Sequence, residues 1–213
     1  MDERQFLERP TKQAMLEFPA FSGLPQNRIH LVESAQEASF AREQLRRCTH
    51  VGFDTESKPT FMVGETSTGP HLVQLATPEH GFLFMARHLT GNESGRELLA
   101  EIMQSSRIIK VGFGLKSDRG PVQRLLGVEL HATVELSGAV KRLGYRQQVG
   151  LQAAVAIVLG EYLPKSRKVT LSNWAAESLS AAQQSYAAND AYASLRVYQA
   201  LANTAPQLLI LAP

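Results

Sequence analysis

Two acidic residues spaced two apart, Asp54 and Glu56, could carry out chemistry in this chain. They follow a run of β-branched, aromatic and small residues at 49–53, which is typical of a β-strand. Residues two apart on a strand point to the same side, so both carboxylates would lie together at its carboxyl end. Adjacent acids repel each other unless a cation compensates them, and Mg²⁺ and Mn²⁺ select carboxylate oxygens. A strand that runs out into solvent would explain the pair equally well.

Three further candidates lie later in the chain, each with an ordinary structural explanation beside the chemical one. Asp118 follows a predicted strand and a Gly-x-Gly turn, in the first turn of a predicted helix, where an acid also complements the helix dipole. Tyr186 and Asp190 lie one turn apart on an otherwise apolar face of the last predicted helix. A carboxylate on such a face needs a partner, which either a metal ion or a hydrogen bond from the tyrosine would provide.

The elements that must position these residues alternate between strands and helices in the first half of the chain. Strands are predicted over 28–32, 49–53, 71–76, 81–84, 107–111 and 131–135, with the third and fourth forming an antiparallel hairpin. Helices are predicted over 34–47, 93–104 and 115–126, and the chain after residue 135 is predicted to be helical, over 136–142, 150–159 and 181–202. Capping boxes begin the helices at Ser34 and Ser180. This order predicts a three-layer α/β or α+β domain.

Composition bounds the class of protein. The chain has 213 residues without a low-complexity tract or repeat, which predicts one domain at 28–203, an irregular arm at 1–27 and a tail at 204–213. A net charge of +2 excludes a global basic field, so any contact with nucleic acid must come from a local patch. Its single cysteine, Cys48, excludes an internal disulfide. Because no stretch has the pattern of a signal peptide or a membrane span, we expect a cytoplasmic protein without a membrane partner.

The acids and the tyrosine form an ordered pattern: Asp-x-Glu on a strand, an Asp after a later strand, and Tyr-x-x-x-Asp on the final helix. Three stretches carry this pattern, 53–56 (FDTE), 111–118 (VGFGLKSD) and 185–192 (SYAANDAY). In these stretches the chain resembles the DEDD superfamily of 3′–5′ exonucleases, in the tyrosine-bearing branch that includes ribonuclease D and the Werner-type exonuclease domain. The resemblance runs from about residue 28 to residue 201. It implies a ribonuclease H-like three-layer fold, with a mixed central sheet flanked by helices.

The same resemblance implies a two-metal hydrolysis of nucleic acid from its 3′ end, which releases nucleoside 5′-monophosphates. The ligands of two Mg²⁺ or Mn²⁺ ions would be the four acids, Asp54, Glu56, Asp118 and Asp190. Asp54 would bridge the ions, and Glu56 would lie near the terminal 3′-hydroxyl. Tyr186 would orient the attacking water or, with metal and lysine neighbours, deprotonate it. A sister branch uses a histidine five residues before the last Asp, and the serine found there in this chain, Ser185, favours the tyrosine assignment.

Substrate contacts are predicted at a basic cluster and beside the first acid. The segment 163–174 (LPKSRKVTLSNW) is similar to the family's segment before the last helix, where Lys165 and Ser166 recur as Lys-Ser. Lys165, Arg167 and Lys168 could bind phosphates near the scissile bond, although a solvated basic loop explains Arg167 and Lys168 equally well. The backbone at Thr55 would border the terminal nucleotide. The expected partner is single-stranded or 3′-ended DNA or RNA.

Two other functions stay open from the sequence. A catalytically inactive nucleic-acid-binding or scaffold protein could retain this fold, and the loss of any of the four acids would have favoured it. An exonuclease restricted to short oligoribonucleotides would keep the chemistry and change the substrate. The presence of all four acids with the tyrosine favours the enzyme.

Overall fold

In the computed structural model, which describes residues 6–60, 62 and 64–213, seven strands form one mixed sheet. In chain order the strands are β1 (Ile29–Leu31), β2 (His50–Glu56), β3 (Leu72–Ala76), β4 (Gly81–Met85), β5 (Ile109–Gly112), β6 (Thr133–Glu135) and β7 (Leu211–Ala212). Their order across the sheet is β1-β4-β3-β2-β5-β6-β7, and β3 and β7 run antiparallel to the others. Residues 1–5 of the predicted arm and residues 61 and 63 of the following loop lie outside the described residues.

Eight α-helices accompany this sheet in the described part of the chain. They are α1 (Lys12–Met15), α2 (Ala35–Arg46), α3 (Glu93–Gln104), α4 (Leu115–Leu126), α5 (Leu136–Lys141), α6 (Leu151–Leu159), α7 (Arg167–Thr170) and α8 (Ala181–Thr204). Helices α2, α3 and α4 pack on one face of the sheet, and α5, α6 and α8 pack on the other. The three predicted layers are therefore confirmed. Among the described residues, no helix combines the length and the apolar character needed to cross a membrane.

The central strand β2 extends further than its apolar residues indicated. Residues 52–56 pair in register with β3, from Gly52 opposite Ala76 to Glu56 opposite Leu72. Asp54 and Glu56 are therefore part of the hydrogen-bonded strand, not of a segment beyond it. Val51 and Phe53 point towards α2 and α3, so the alternate residues, including both acids, point towards α8. The predicted side-by-side placement of the two carboxylates follows directly from this alternation.

Helix α8 approaches β2 closely because Gly52 has no side chain. A Cβ atom at Gly52 would lie 1.9 Å from the carbonyl oxygen of Ala191 and 3.2 Å from the Cβ atom of Leu195. The helix begins at the predicted capping box, in which the Ser180 hydroxyl accepts from the backbone of Gln183 and the Gln183 side chain accepts from the backbone of Ser180. The close packing brings Asp190 to the face of β2 that carries the other two acids.

Three short elements were not predicted correctly. The arm was expected to be irregular, but residues 12–15 form α1, whose N-cap Thr11 accepts a hydrogen bond from Ala14. The chain after residue 135 was expected to be helical, but Leu211–Ala212 forms β7 against β6. No helix was predicted between residues 160 and 180, but Arg167–Thr170 forms α7 after its N-cap, Ser166. Segments of two or four residues are too short to show a period of their own, and contacts with distant parts of the chain decide their conformation.

We expect Gly52→Ala to destabilise the fold by about 1–3 kcal/mol or more, because the added methyl group would push the backbone of α8 away from β2. Urea denaturation followed by circular dichroism would measure the loss. Gly91→Ala is the matched control, since a Cβ atom there meets nothing within 4 Å. Equal stability of the two variants would contradict the close packing of α8 on β2.

Candidate active site

Three acidic side chains meet where α8 crosses the end of β2. Asp54, Glu56 and Asp190 each offer a carboxylate oxygen, and these oxygens all lie within 4.8 Å of one another. Strand β2 supplies two of them and α8 supplies the third. We refer to these three residues as the acid cluster. A compact set of carboxylate oxygens is the donor set that hard divalent cations prefer.

The environment of the acid cluster disfavours the charged forms of its three carboxyl groups. Burial, together with the carboxylates of Asp190 and Glu56, raises the pKa of Asp54 well above its ordinary range. Burial and Asp190 raise the pKa of Glu56 to about 8. Burial also raises the pKa of Asp190, against the opposing effect of Lys165. Carboxylates in this state gain free energy by taking up a cation, so the residues present fit a divalent metal ion.

Lys165 places a positive charge inside this site. Its Nζ donates to Oδ2 of Asp190 at 2.7 Å and lies 5.2 Å from the ring centroid of Tyr186. Burial opposes the charge on Lys165, but Asp190 and Tyr186 outweigh the burial and raise the pKa of Lys165 above its ordinary range. The sequence predicted Lys165 as a phosphate contact. In the protein alone, its ammonium group donates to the carboxylate of Asp190.

The fourth predicted acid, Asp118, lies beside the acid cluster but is not part of it. As predicted, it occupies the first turn of α4. Its Oδ1 accepts a hydrogen bond from the hydroxyl of Thr55 at 2.7 Å, while the backbone N–H of Thr55 donates to Oδ1 of Asp54 at 2.9 Å. Burial raises the pKa of Asp118 to about 6, although the Thr55 hydroxyl opposes the shift. The structure thus gathers three of the four predicted ligands and connects the fourth to them through Thr55.

Tyr186 lies one turn before Asp190 on α8. Its phenol oxygen is 3.0 Å from the hydroxyl oxygen of Thr170, and its ring centroid is 5.9 Å from that of Trp174. Burial, followed by the charge of Asp190, raises the pKa of Tyr186 above its ordinary value, although Lys165 opposes the shift. Within the protein alone, the phenol therefore keeps its proton at neutral pH.

The other predicted substrate contacts lie at α7. Ser166 caps this helix, because its Oγ accepts from the backbone N–H of Val169 at 3.4 Å. Arg167 and Lys168 follow on the first turn and are exposed. Among the described residues, neither cation forms an ion pair. These two side chains are therefore available to a phosphate, whereas Ser166 already has a structural role.

Two residues at the site were missed by the sequence analysis. Gln74 on β3 lies directly opposite Asp54 and is fully buried. Neither Nε2 nor Oε1 of Gln74 has a hydrogen-bond partner in the described part of the chain. The only available signal was a polar residue in the middle of an apolar strand. Thr170 gave no signal, because its contact with Tyr186 depends on the fold of α7.

A cavity of about 440 Å³ adjoins the acid cluster between α8 and the arm. Tyr186 and Asp190 line one side of it, and Phe21 and Leu24 line the other. This volume is in the range of small-ligand sites in proteins. A larger cavity of about 520 Å³, between the arm and Arg146, touches none of the candidate residues. The smaller cavity is therefore the one that adjoins the candidate residues.

Comparison with known proteins identifies the family. Residues 29–205 match the 3′–5′ exonuclease family, so this chain belongs to that family. The bifunctional 3′–5′ exonuclease/ATP-dependent helicase WRN of Mus musculus is 30% identical over 95% of this chain and 14% of its own length. The exonuclease mut-7 homolog of Homo sapiens is 29% identical over 84% of this chain and 23% of its own length. The chain thus spans less than a quarter of either relative.

Solved structures agree on the fold. The EXO domain of Aedes aegypti Nibbler has a TM-score of 0.72 at 24% identity, covering 87% of this chain and 92% of that domain. Trypanosoma brucei RNase D, solved in complex with RNA U12, has a TM-score of 0.71 at 18% identity, covering 90% of this chain and 65% of that chain. The predicted ribonuclease H-like fold is therefore confirmed.

We expect Asp54→Asn to raise the melting temperature of the metal-free protein, because it removes one of three mutually repelling carboxylates. A gain of 1 kcal/mol corresponds to about 2–4 °C in a protein of this size. In the wild-type protein, Mn²⁺ at about 100 times its Kd should add about 2.7 kcal/mol of stability, and Asp54→Asn should lose this gain.

Calorimetry with EDTA and with Mn²⁺ would measure both effects. The control Glu97→Gln changes an exposed acid on α3 and should alter neither melting temperature. A lower melting temperature of Asp54→Asn in EDTA would contradict the repulsion within the acid cluster.

Proposed function

We propose that this protein is a metal-dependent 3′–5′ exonuclease that hydrolyses DNA or RNA and releases nucleoside 5′-monophosphates. The observation that carries the proposal is the acid cluster, with Tyr186 one turn from Asp190, in a chain of the 3′–5′ exonuclease family. The names of the relatives describe exonucleases, and the similar RNase D was solved with RNA. These comparisons support nucleic acid as the substrate class.

Two Mg²⁺ or Mn²⁺ ions would be held by the acid cluster together with Asp118. Bound there, the ions would neutralise the phosphodiester and lower the pKa of the attacking water. The raised pKa values of Asp54 and Glu56 support this assignment, because burial and the neighbouring acids disfavour their charged forms in the protein alone, and a bound cation would favour them. Lys165 would then leave Asp190, and its ammonium would become available to a phosphate oxygen of the substrate.

The remaining residues would orient the reactants. Tyr186 would position the attacking water through its phenol oxygen, which keeps its proton in the protein alone because burial and Asp190 raise its pKa. The exposed Lys168 would bind a neighbouring phosphate, and the backbone at Thr55 would border the terminal nucleotide. Ser166 would act on the substrate indirectly, by beginning the helix that carries Lys168.

A catalytically inactive nucleic-acid-binding protein on the same fold is the second candidate. One observation favours it, since Lys165 already occupies Asp190 and competes with any cation for that carboxylate. The first measurement below separates the candidates, and the second tests whether Lys165 competes with the cation.

The first measurement incubates the protein with 5′-labelled single-stranded DNA and RNA of several lengths, with Mg²⁺, Mn²⁺ or EDTA. We expect a ladder that shortens from the 3′ end only with metal. Asp54→Ala should lower the rate at least about 100-fold, since even the loss of a residue that only hydrogen-bonds a metal ligand costs up to that factor. Tyr186→Phe should lower it about 10–100-fold, which is at or below the lower end of the roughly 100- to 10,000-fold contribution of a general acid or base.

Tyr198→Phe is the matched control, because Tyr198 lies about two turns beyond Asp190 on α8 and its phenol oxygen is 2.6 Å from Nε2 of His50. Retained binding without cleavage under all conditions would establish the inactive binding protein instead. Cleavage confined to the shortest RNA would identify an enzyme specific for short oligoribonucleotides.

The second measurement concerns the ion pair between Lys165 and Asp190. We expect Lys165→Met to bind Mn²⁺ about tenfold more tightly, because a charge-assisted hydrogen bond worth about 1.5 kcal/mol no longer competes for Asp190. The same variant should cleave more slowly, because it lacks the ammonium for the phosphate. Isothermal titration calorimetry without substrate would give the affinities, with Lys168→Met as an unaffected control. Weaker metal binding by Lys165→Met would show that Lys165 does not compete with the cation.

A further inference from the structure

Thr170, at the end of α7, has its hydroxyl between two other oxygen atoms. Its Oγ1 is 3.1 Å from the backbone carbonyl oxygen of Ser166 and 3.0 Å from the phenol oxygen of Tyr186. A carbonyl oxygen can only accept, whereas a threonine hydroxyl has a single proton to donate. The two contacts can therefore both be hydrogen bonds in only one arrangement of the protons. In that arrangement, Thr170 donates to Ser166 and accepts from the phenol of Tyr186.

The position of Thr170 is fixed independently of Tyr186. Ser166 caps α7 through the backbone of Val169, and the backbone N–H of Thr170 donates to the carbonyl of Ser166 at 2.9 Å. From the other side, Nε1 of the fully buried Trp174 donates to the carbonyl oxygen of Thr170 at 3.3 Å. The hydroxyl of Thr170 is therefore an acceptor that α7 and Trp174 hold in front of the phenol.

The phenol of Tyr186 has a second acceptor within reach, the carboxylate of Asp190. Asp190 also accepts from Nζ of Lys165 at 2.7 Å. When the phenol proton points to Thr170, the phenol oxygen keeps a lone pair for a donor on the side of Asp190. When the proton points to Asp190, the phenol oxygen has no lone pair on that side and cannot accept a hydrogen bond there. Thr170 thus selects between two orientations of one hydroxyl group.

From this geometry we propose that Thr170 is a positioning residue for Tyr186, which keeps the phenol oxygen as a hydrogen-bond acceptor for the attacking water. A water that donates to Tyr186 directs its own lone pair away from the phenol, towards the phosphorus atom. This role rests on the proposed exonuclease function and specifies how Tyr186 takes part in it. The residue acts through Tyr186 and does not itself touch the reacting atoms.

The test compares Thr170→Val, which replaces the hydroxyl with a methyl group of similar shape, with Thr170→Ser, which keeps the hydroxyl. Because Thr170 is exposed and water replaces the lost hydrogen bonds, we expect both variants to fold with little change in stability. Thr170→Val should lower kcat about fivefold, the equivalent of one neutral hydrogen bond, with KM unchanged, and Thr170→Ser should restore it. In a Tyr186→Phe background, Thr170→Val should have no further effect.

A second readout needs neither metal nor substrate. The tyrosine doublet in the ultraviolet resonance Raman spectrum reports whether a phenol donates or accepts a hydrogen bond. The Tyr186 contribution is isolated by subtracting the spectrum of Tyr186→Phe. We expect a shift of this contribution in Thr170→Val and none in Thr170→Ser.

An unchanged Raman contribution in Thr170→Val would overturn the proposal, as would a kcat effect that persists in the Tyr186→Phe background. If the wild-type protein cleaves and Thr170→Val cleaves equally fast, the positioning role fails and the proposed function stands. If the wild-type protein cleaves no substrate, both fail together.

Discussion

The candidate site depends on the close packing of α8 against β2 at Gly52. The carbonyl oxygen of Ala191 occupies the space that any side chain at position 52 would fill. Because Asp190 precedes Ala191, this contact also sets how near its carboxylate comes to those of Asp54 and Glu56. Small side chains along α8 continue the contact over neighbouring strands, as Ala188 does opposite Gly81. Backbone packing, more than any hydrogen bond, therefore defines the geometry of the acid cluster.

This packing forces like charges together in a buried place, which is unfavourable for the protein alone. The apolar contacts of α8 with the sheet offset the repulsion, and Lys165 neutralises part of it. Side chains alternate along β2, so Thr55 points away from the acid cluster. Its hydroxyl donates to Asp118, which keeps this fourth acid apart from the other three. A fold that keeps carboxylates in this state is poised to bind cations, and the same electrostatics connect stability to the proposed function.

Local patterns in the sequence determined much of the fold. The helices at 93–104 and 115–126 have the predicted bounds, and both predicted capping boxes are formed, because helix periodicity and capping act within a few residues. The spacing of Asp54 and Glu56 predicted their common face for the same reason, since strand alternation is a local property. The order of the acids and the tyrosine was enough to indicate the family.

The tertiary structure alone decided how these residues are used. That Lys165 contacts Asp190, that Asp118 is held by Thr55, and that Gln74 lies opposite Asp54 all depend on residues far apart in the chain. The short elements α7 and β7 form for the same reason, because their conformations are set by contacts and not by a period in their own residues. The sequence by itself determined which side chains are present and on which face of its own strand or helix each one lies. Distances between elements, and with them the charges and hydrogen bonds of the site, arise only when the chain packs.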